Sequence, residues 1–187
     1  MSQDLEISPK TVSLQKLLGD SSLTESGLFE GLELFLKSAT YEEIEEYEKS
    51  LAIAGITGRE EFNDRFMRHY LDGGMYARTI FLPKGIFAIG KVHKGPYIDI
   101  MISGDMTINS YHSDGRIDLT ERVNGFNYLK GWAGRKRVGF AHEDTLWITV
   151  DLCKSENIDN AECEIALDNL AQYNKMIGEK CQSLPPQ

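Results

Sequence analysis

The sequence predicts an all-β structure of the jelly-roll barrel or sandwich type, with α-helices added at its N- and C-terminal ends. Three observations carry that prediction. Apolar residues recur at helical spacing over about residues 28–71 and again over 159–180, but at every second position through much of 77–150. Turn signals such as Pro83-Lys84-Gly85 and Asp114-Gly115 cut the middle stretch into about eight short runs. The chain of 187 residues is 41% hydrophobic and holds eight Phe, eight Tyr and two Trp, enough to pack one domain with additions.

Residues 1–25 are polar, rich in Ser, Thr and Asp, and show no sustained period; such termini fray unless something ties them down. Leu28, Leu32, Phe35 and Leu36 then make a helical stripe. Thr40 stands before Tyr41 with Glu43 three residues on, a capping-box pattern, and Tyr41, Ile44, Tyr47 and Leu51 share the next helical face. Glu42, Glu43, Glu45, Glu46 and Glu48 read as its solvated side rather than as a metal site. Gly55 and Gly58 end this helix. A third helix, over about Arg59–Leu71, groups Phe62, Phe66, Met67 and Tyr70, and Gly73-Gly74 stops it.

From there the period is two. Ala77–Leu82 and Ile86–Val92 read as strands. Tyr97–Ile102 alternates cleanly, with Ile98, Ile100 and Ile102 on one face and Tyr97, Asp99 and Met101 on the other. Met106–Ser110 and Arg116–Val123 flank the Asp114-Gly115 hairpin signal. Phe126–Leu129, Lys136–Ala141 and Thr145–Val150 complete the set. Asp159, with Glu162 three residues on, opens a final helix to about Lys180, with Ala166, Leu170, Tyr173 and Ile177 on one face. The organisation is therefore a polar arm and three helices (1–75), a β-region (76–152), and a C-terminal helix and tail (153–187).

Charge narrows the function. The net charge of −9 divides into −8 over residues 1–75, +2 over 76–152 and −3 over 153–187. That distribution disfavours nucleic acid as a partner of the whole surface. No apolar run approaches the roughly 20 residues of a membrane span, and the N-terminus lacks the basic and apolar regions of a signal peptide. Cys153, Cys163 and Cys181 lack CxxC spacing and read as thiols in a reducing compartment, not as a disulfide framework or zinc site.

Three phrases in the β-region carry a resemblance. They are Tyr76-Ala77-Arg78-Thr79-Ile80-Phe81-Leu82-Pro83-Lys84-Gly85, then Gly90-Lys91-Val92-His93-Lys94, and finally Lys136-Arg137-Val138-Gly139-Phe140-Ala141-His142-Glu143-Asp144-Thr145-Leu146-Trp147. In this order they resemble small cupin-like proteins encoded by tailed bacteriophages. The resemblance covers residues 76–152 and implies a cupin-type jelly-roll barrel of six to eight strands. It implies little about activity, because cupins include enzymes, sugar binders and storage proteins.

A metal-binding cupin carries two histidines one residue apart and a glutamate in its first motif, and a third histidine after Pro-x-Gly in its second. Here the first histidine position is His93, the second falls on Gly95, and the carboxylate region offers Tyr97 and Asp99. The second motif reads Trp132-Ala133-Gly134, and its histidine position falls on Arg137. A guanidinium has no lone pair for a metal and repels a divalent ion. His93 and Asp99 are the remaining candidate ligands, too few for a tight site, so no metal or other cofactor is expected. An ion pair between Asp99 and Arg137, with Tyr97 or His93 adding hydrogen bonds, is the expected replacement. The alternative places Arg137 at the rim, in contact only with solvent.

Other segments are read conservatively. His142 lies beside a turn as an exposed or hydrogen-bonded histidine. Lys130-Gly131-Trp132-Ala133-Gly134-Arg135-Lys136-Arg137 suits a phosphate or a sugar ring, but also a turn with solvated cations, which the acidic composition favours. Gly85–Gly90 lacks the GK[ST] of a phosphate loop, and no GxSxG occurs.

Two functions follow as expectations. The first is a non-catalytic, virion-associated or assembly protein of a phage, placed in the virion or host cytoplasm and acting through contacts with other phage subunits or with copies of itself. The second is a small-molecule binder, of a sugar or nucleotide for example, or an enzyme, with His93, Tyr97, Asp99 and Arg137 lining a polar interior and Arg137 holding an anionic group.

Overall fold

The computed structural model describes residues 24–53 and 66–182. The polar N-terminal arm, the predicted helix breakers Gly55 and Gly58, the start of the predicted third helix and the last five residues lie outside the described residues.

The first two helices follow the sequence signals. Helix α1 (Glu25–Ser38) is capped by Thr24, whose hydroxyl accepts from the Gly27 N–H at 3.2 Å. Helix α2 (Tyr41–Ile53) opens on the predicted capping box. The Thr40 N–H donates to Glu43 Oε2 at 2.8 Å, and the Glu43 N–H donates to Thr40 Oγ1 at 3.3 Å.

The predicted third helix is not formed over its described part. Met67–Asp72 is a strand, β1, paired antiparallel with β2 (Met75–Leu82) from Met67↔Ile80 to Asp72↔Met75. The reason lies in Gly73 and Gly74, at φ +58° and +79°. Two left-handed residues in a row form the tight loop that matches strand twist. They close a hairpin instead of stopping a helix. The boundary expected at residue 75 therefore cuts a hairpin, and β1 belongs with the β-region.

The other strands are β3 (Phe87–Ile89), β4 (Val92–His93), β5 (Tyr97–Ser103), β6 (Asp105–Tyr111), β7 (Ile117–Asn124), β8 (Asn127–Gly131), β9 (Lys136–Ala141), β10 (Thr145–Leu152) and β11 (Ala166–Leu167). The predicted strand Ile86–Val92 is thus split into β3 and the start of β4. One sheet has the order β1-β2-β10-β5-β8, the other β3-β9-β6-β7, and β4 pairs with β11. The two large sheets face each other across Leu82, Met101 and Trp147 on one side and Met106, Ile108, Val123 and Ala141 on the other.

The single predicted C-terminal helix is two: α3 (Ile158–Ile165) and α4 (Leu170–Gln182), with β11 between them. Asn157, not Asp159, caps α3, accepting from the Asp159 N–H at 2.7 Å. Asn169 accepts from the Gln172 N–H at 2.9 Å in the first turn of α4. The break lets Ala166 and Leu167 pair with His93 and Val92, which ties down the strand that carries His93.

The outer faces of the two sheets differ. Leu32, Phe35, Leu36, Tyr41, Ile44, Leu170 and Tyr173 of the helices pack on Tyr111, Val138 and Phe140 of the four-stranded sheet. Each fully buried side chain of this kind contributes about 1.5–3 kcal/mol, enough to hold α1, α2 and α4 against the sheet. Lys136 crosses this layer fully buried, its Nζ donating to Glu48 Oε2 at 2.9 Å and to the Asp168 carbonyl at 3.1 Å. Arg135 is buried as well. Arg135 and Lys136 are therefore not solvated as expected: Lys136 meets the Glu48 carboxylate and the Asp168 carbonyl, and Arg135 donates to the Ser110 hydroxyl at 2.5 Å and the Lys130 carbonyl at 2.7 Å. On the five-stranded sheet, Tyr70, Met75, Ile98, Ile102, Tyr128 and Leu152 are exposed. Cys153 is a buried free thiol and Cys163 an exposed one.

Candidate functional site

The strand register builds the site in rows. On the inward face of the five-stranded sheet, Asp151 stands opposite Tyr97 on β5 and Tyr76 on β2. One row on, Thr149 stands between Asp99 and Arg78. The next row is Ile80, Trp147 and Met101. Polarity is thus graded along the strands, with carboxylates at one end and apolar side chains at the other.

A cavity of about 530 Å³ lies against these rows, within the size range of small-molecule sites. Its apolar wall includes Ile80, Leu82, Ile86, Met106, Ile108 and Trp147. Its polar wall includes His93, Tyr97, Asp99, Arg137 and Thr149, with Arg78, Lys91 and Glu162 also lining it. All four residues expected from the sequence are therefore brought to one cavity. Gly95 lies in the turn between β4 and β5, with nothing within 4 Å of where a Cβ would stand.

Arg137 is paired with Asp99 and does not sit alone at a solvent rim; their side chains are 10% and 5% exposed. The remaining partners of Asp99 differ from the expectation. Trp147 Nε1 donates to Asp99 Oδ1 at 3.0 Å and Thr149 Oγ1 donates to the same oxygen at 2.6 Å. Arg137 also donates through Nη2 to the Lys130 carbonyl at 3.1 Å, and its Cζ lies 5.4 Å from the Tyr97 ring centre. Burial pulls the Arg137 guanidinium below its ordinary value, with Tyr97 opposing, but a guanidinium starts so high that it stays charged. Its Nε is buried and has no hydrogen-bond partner among the described residues.

His93 makes a second arrangement. Its Nδ1 meets Asp151 Oδ1 at 2.8 Å, with both side chains buried. Its ring stacks on Tyr97 at 3.7 Å between centres and 18° between planes. Burial pushes the Tyr97 phenol up, so it stays neutral at ordinary pH. Tyr97 reaches this position because Gly131 stands opposite it on β8; any Cβ there would collide with the phenol ring. Asp151 Oδ2 is buried and has no partner among the described residues.

At the edge of the cavity, Glu162 of α3 lies 3.3 Å from Arg78 Nη1 and 3.4 Å from Lys91 Nζ, and accepts from the Tyr76 hydroxyl at 3.3 Å. Burial pushes the Glu162 carboxyl up, but Arg78 and Lys91 outweigh it and hold the group below its ordinary value. His142 lies elsewhere, at 2.8 Å from the Thr107 hydroxyl.

The donor set does not suit the metal that the resemblance would bring. Asp99 is already engaged by a guanidinium, an indole and a hydroxyl, and His93 Nδ1 is engaged by Asp151. Among the described residues, no group of three His, Cys, Asp or Glu side chains is placed to share an ion.

Sequence reasoning missed Thr149, Asp151, Arg78, Lys91 and Glu162. Asp151 and Thr149 had a legible signal: Trp147, Thr149 and Asp151 alternate on β10 in the same sense as Tyr97 and Asp99 on β5. Glu162 had none, because its helix reaches the cavity through the break at β11.

No protein-family model matches the chain, and no curated protein matches it. Solved structures resemble part of it. One is a cupin superfamily protein from Desulfitobacterium hafniense, with 9% identity and a TM-score of 0.40 over 46% of this chain and 74% of that one. Another is an RmlC-like cupin family protein with a double-stranded β-helix fold from Methanocaldococcus jannaschii, with 14% identity and a TM-score of 0.39 over 46% of this chain and 77% of that one. A third is hydroxypropylphosphonic acid epoxidase from S. wedmorenis, with 6% identity and a TM-score of 0.39; the match spans 46% of this chain and 49% of the epoxidase.

Proposed function

We propose that the protein binds a small organic molecule between its two large sheets, as a jelly-roll barrel of the cupin type would. The ligand has an apolar body and an oxygen-bearing head. The observation that carries this reading is the cavity, polar on one wall and apolar on the other, where a packed core would have closed it with side chains. The head meets His93, Tyr97 and Arg137; the body lies against Ile80, Met106, Ile108 and Trp147.

Trp147 lines the cavity and Trp132 does not, so a Trp132→Phe variant makes fluorescence a reporter of the site. Titration with branched-chain carboxylates, keto acids and ketones is expected to give a saturable change. An Ala88→Phe variant, which fills the cavity, is expected to abolish it. A flat response to every compound would sink this reading.

A second reading keeps the assembly role, with the protein acting as a virion component through protein contacts. It is favoured by the apolar outer face of the five-stranded sheet, where Ile98 and Tyr128 are 49% and 71% exposed. Contiguous exposed apolar faces mark contact sites, and the occupant proposed is a second copy of this chain. Light scattering tests it: an oligomer that Ile98→Lys converts to a monomer supports it, and a monomeric wild type removes it.

A further inference from the structure

Two groups, one behind the cavity's lining and one on it, remain unexplained by binding alone. One is Asp151, a carboxylate 3% exposed whose only hydrogen bond among the described residues goes to His93 Nδ1. A buried carboxylate with an unmet oxygen is costly, and a site needing only bulk would not retain it. The other is Arg137 Nε, a buried donor without a partner on a cavity-lining cation.

The imidazole is fixed from two sides. Asp151 accepts from Nδ1, which sets the tautomer that leaves Nε2 as the basic nitrogen. The stacked Tyr97 ring holds the plane. No hydrogen bond among the described residues engages Nε2, and His93 lines the cavity. The same Tyr97 ring packs against the Arg137 guanidinium, so base and cation lie within reach of one small ligand. A positioned base beside a buried cation suits removal of a proton from carbon next to a carbonyl.

We propose that His93 is a general base, positioned by Asp151, and that the ligand is a carbonyl compound with an exchangeable hydrogen on its α-carbon. This rests on the binding reading above. The α C–H bond breaks and its proton goes to His93 Nε2. The electron pair moves onto the carbonyl oxygen as an enolate, whose negative charge the Arg137 guanidinium opposes. His93 then returns a proton to carbon. The cycle consumes nothing, and it exchanges, epimerises or isomerises the ligand at that carbon. Asp151 touches no reacting atom and is a positioning residue.

The experiment uses 4-methyl-2-oxopentanoate and 4-methyl-2-pentanone in deuterated water. Binding is read by Trp147 fluorescence and α-hydrogen exchange by proton NMR. Wild type is expected to accelerate exchange of at least one probe. His93→Gln should lose roughly 100-fold or more, the usual contribution of a general base. Asp151→Asn should lower the exchange rate at saturating probe about tenfold or more with half-saturation unchanged, and Asp151→Glu should recover part of it; a merely structural Asp151 would move both constants or neither. Thermal melts confirm that each variant is folded. Binding without exchange above the His93→Gln level overturns the base and leaves the binding reading standing. No binding of either probe by wild type overturns the proposed ligand class, while the wider fluorescence panel decides the binding reading separately.

Discussion

Asp99 and Asp151 stand one row apart on neighbouring strands, and both are 3% exposed. Their surroundings differ. Asp99 is met by a guanidinium, an indole N–H and a hydroxyl. Asp151 is met by one imidazole nitrogen, and its second oxygen is left without a partner. Equal burial therefore hides unequal roles. A carboxylate with its lone pairs filled fixes structure. One that is short of partners calls for another role, here the positioning of the His93 ring.

The comparison breaks most directly at Asp99. Asp99→Ala leaves Arg137 buried without its counter-charge and is expected to cost about 3–5 kcal/mol. Adding Arg137→Met should recover much of that loss, because the pair is then replaced by apolar volume. Urea denaturation measures both; a single-variant loss below about 1 kcal/mol would mean that Arg137 escapes to solvent. Thr149→Val comes next. It removes a hydrogen bond to a charged acceptor, worth about 1.5–3 kcal/mol, while nearly preserving shape. Asp151→Asn is expected to cost only about 1 kcal/mol or less by the same measure, since the amide oxygen still accepts from His93. A larger loss than Thr149→Val would assign Asp151 a structural role.

Much of this pair was legible in the sequence, and the reason is periodicity. Alternation on Tyr97–Ile102 placed Tyr97 and Asp99 on one face, and the resemblance brought Arg137 to the same interior. Trp147 and Thr149 went unrecognised as partners because pairing register between β5 and β10 is a long-range property that no local pattern states. Asp151 was missed for a simpler reason: the expected strand stops at Val150, two residues before its end at Leu152. The β1 hairpin was misread because Phe66, Met67 and Tyr70 fit a helical spacing. Gly73-Gly74 serves equally as a helix stop and as a hairpin loop, and only pairing with β2 decides between them. The burial of Arg135 and Lys136 could not be read from a basic run, because Glu48 and Asp168, which supply the opposing oxygens to Lys136, lie far away in sequence.

Glu162 sharpens the comparison from the cavity edge, where solvent screens it and the expected effect is smallest. Arg78 and Lys91 hold its carboxyl below the ordinary 4.5 in the folded protein. A depressed folded value means that the unfolded chain takes up the proton first. The stabilisation is therefore fully present above the ordinary glutamate value and is lost as pH falls below it, through the folded value. The group is only half-buried, so the contribution is no more than about 1 kcal/mol. Wild type should lose that increment between about pH 5 and pH 3, whereas Glu162→Gln, uncharged throughout, should run parallel to wild type in acid after starting lower at neutral pH. Melting temperature against pH reads the difference. Curves that stay parallel across the whole range would place Glu162 in free contact with water, and α3 would then hold no electrostatic grip on the edge of the cavity.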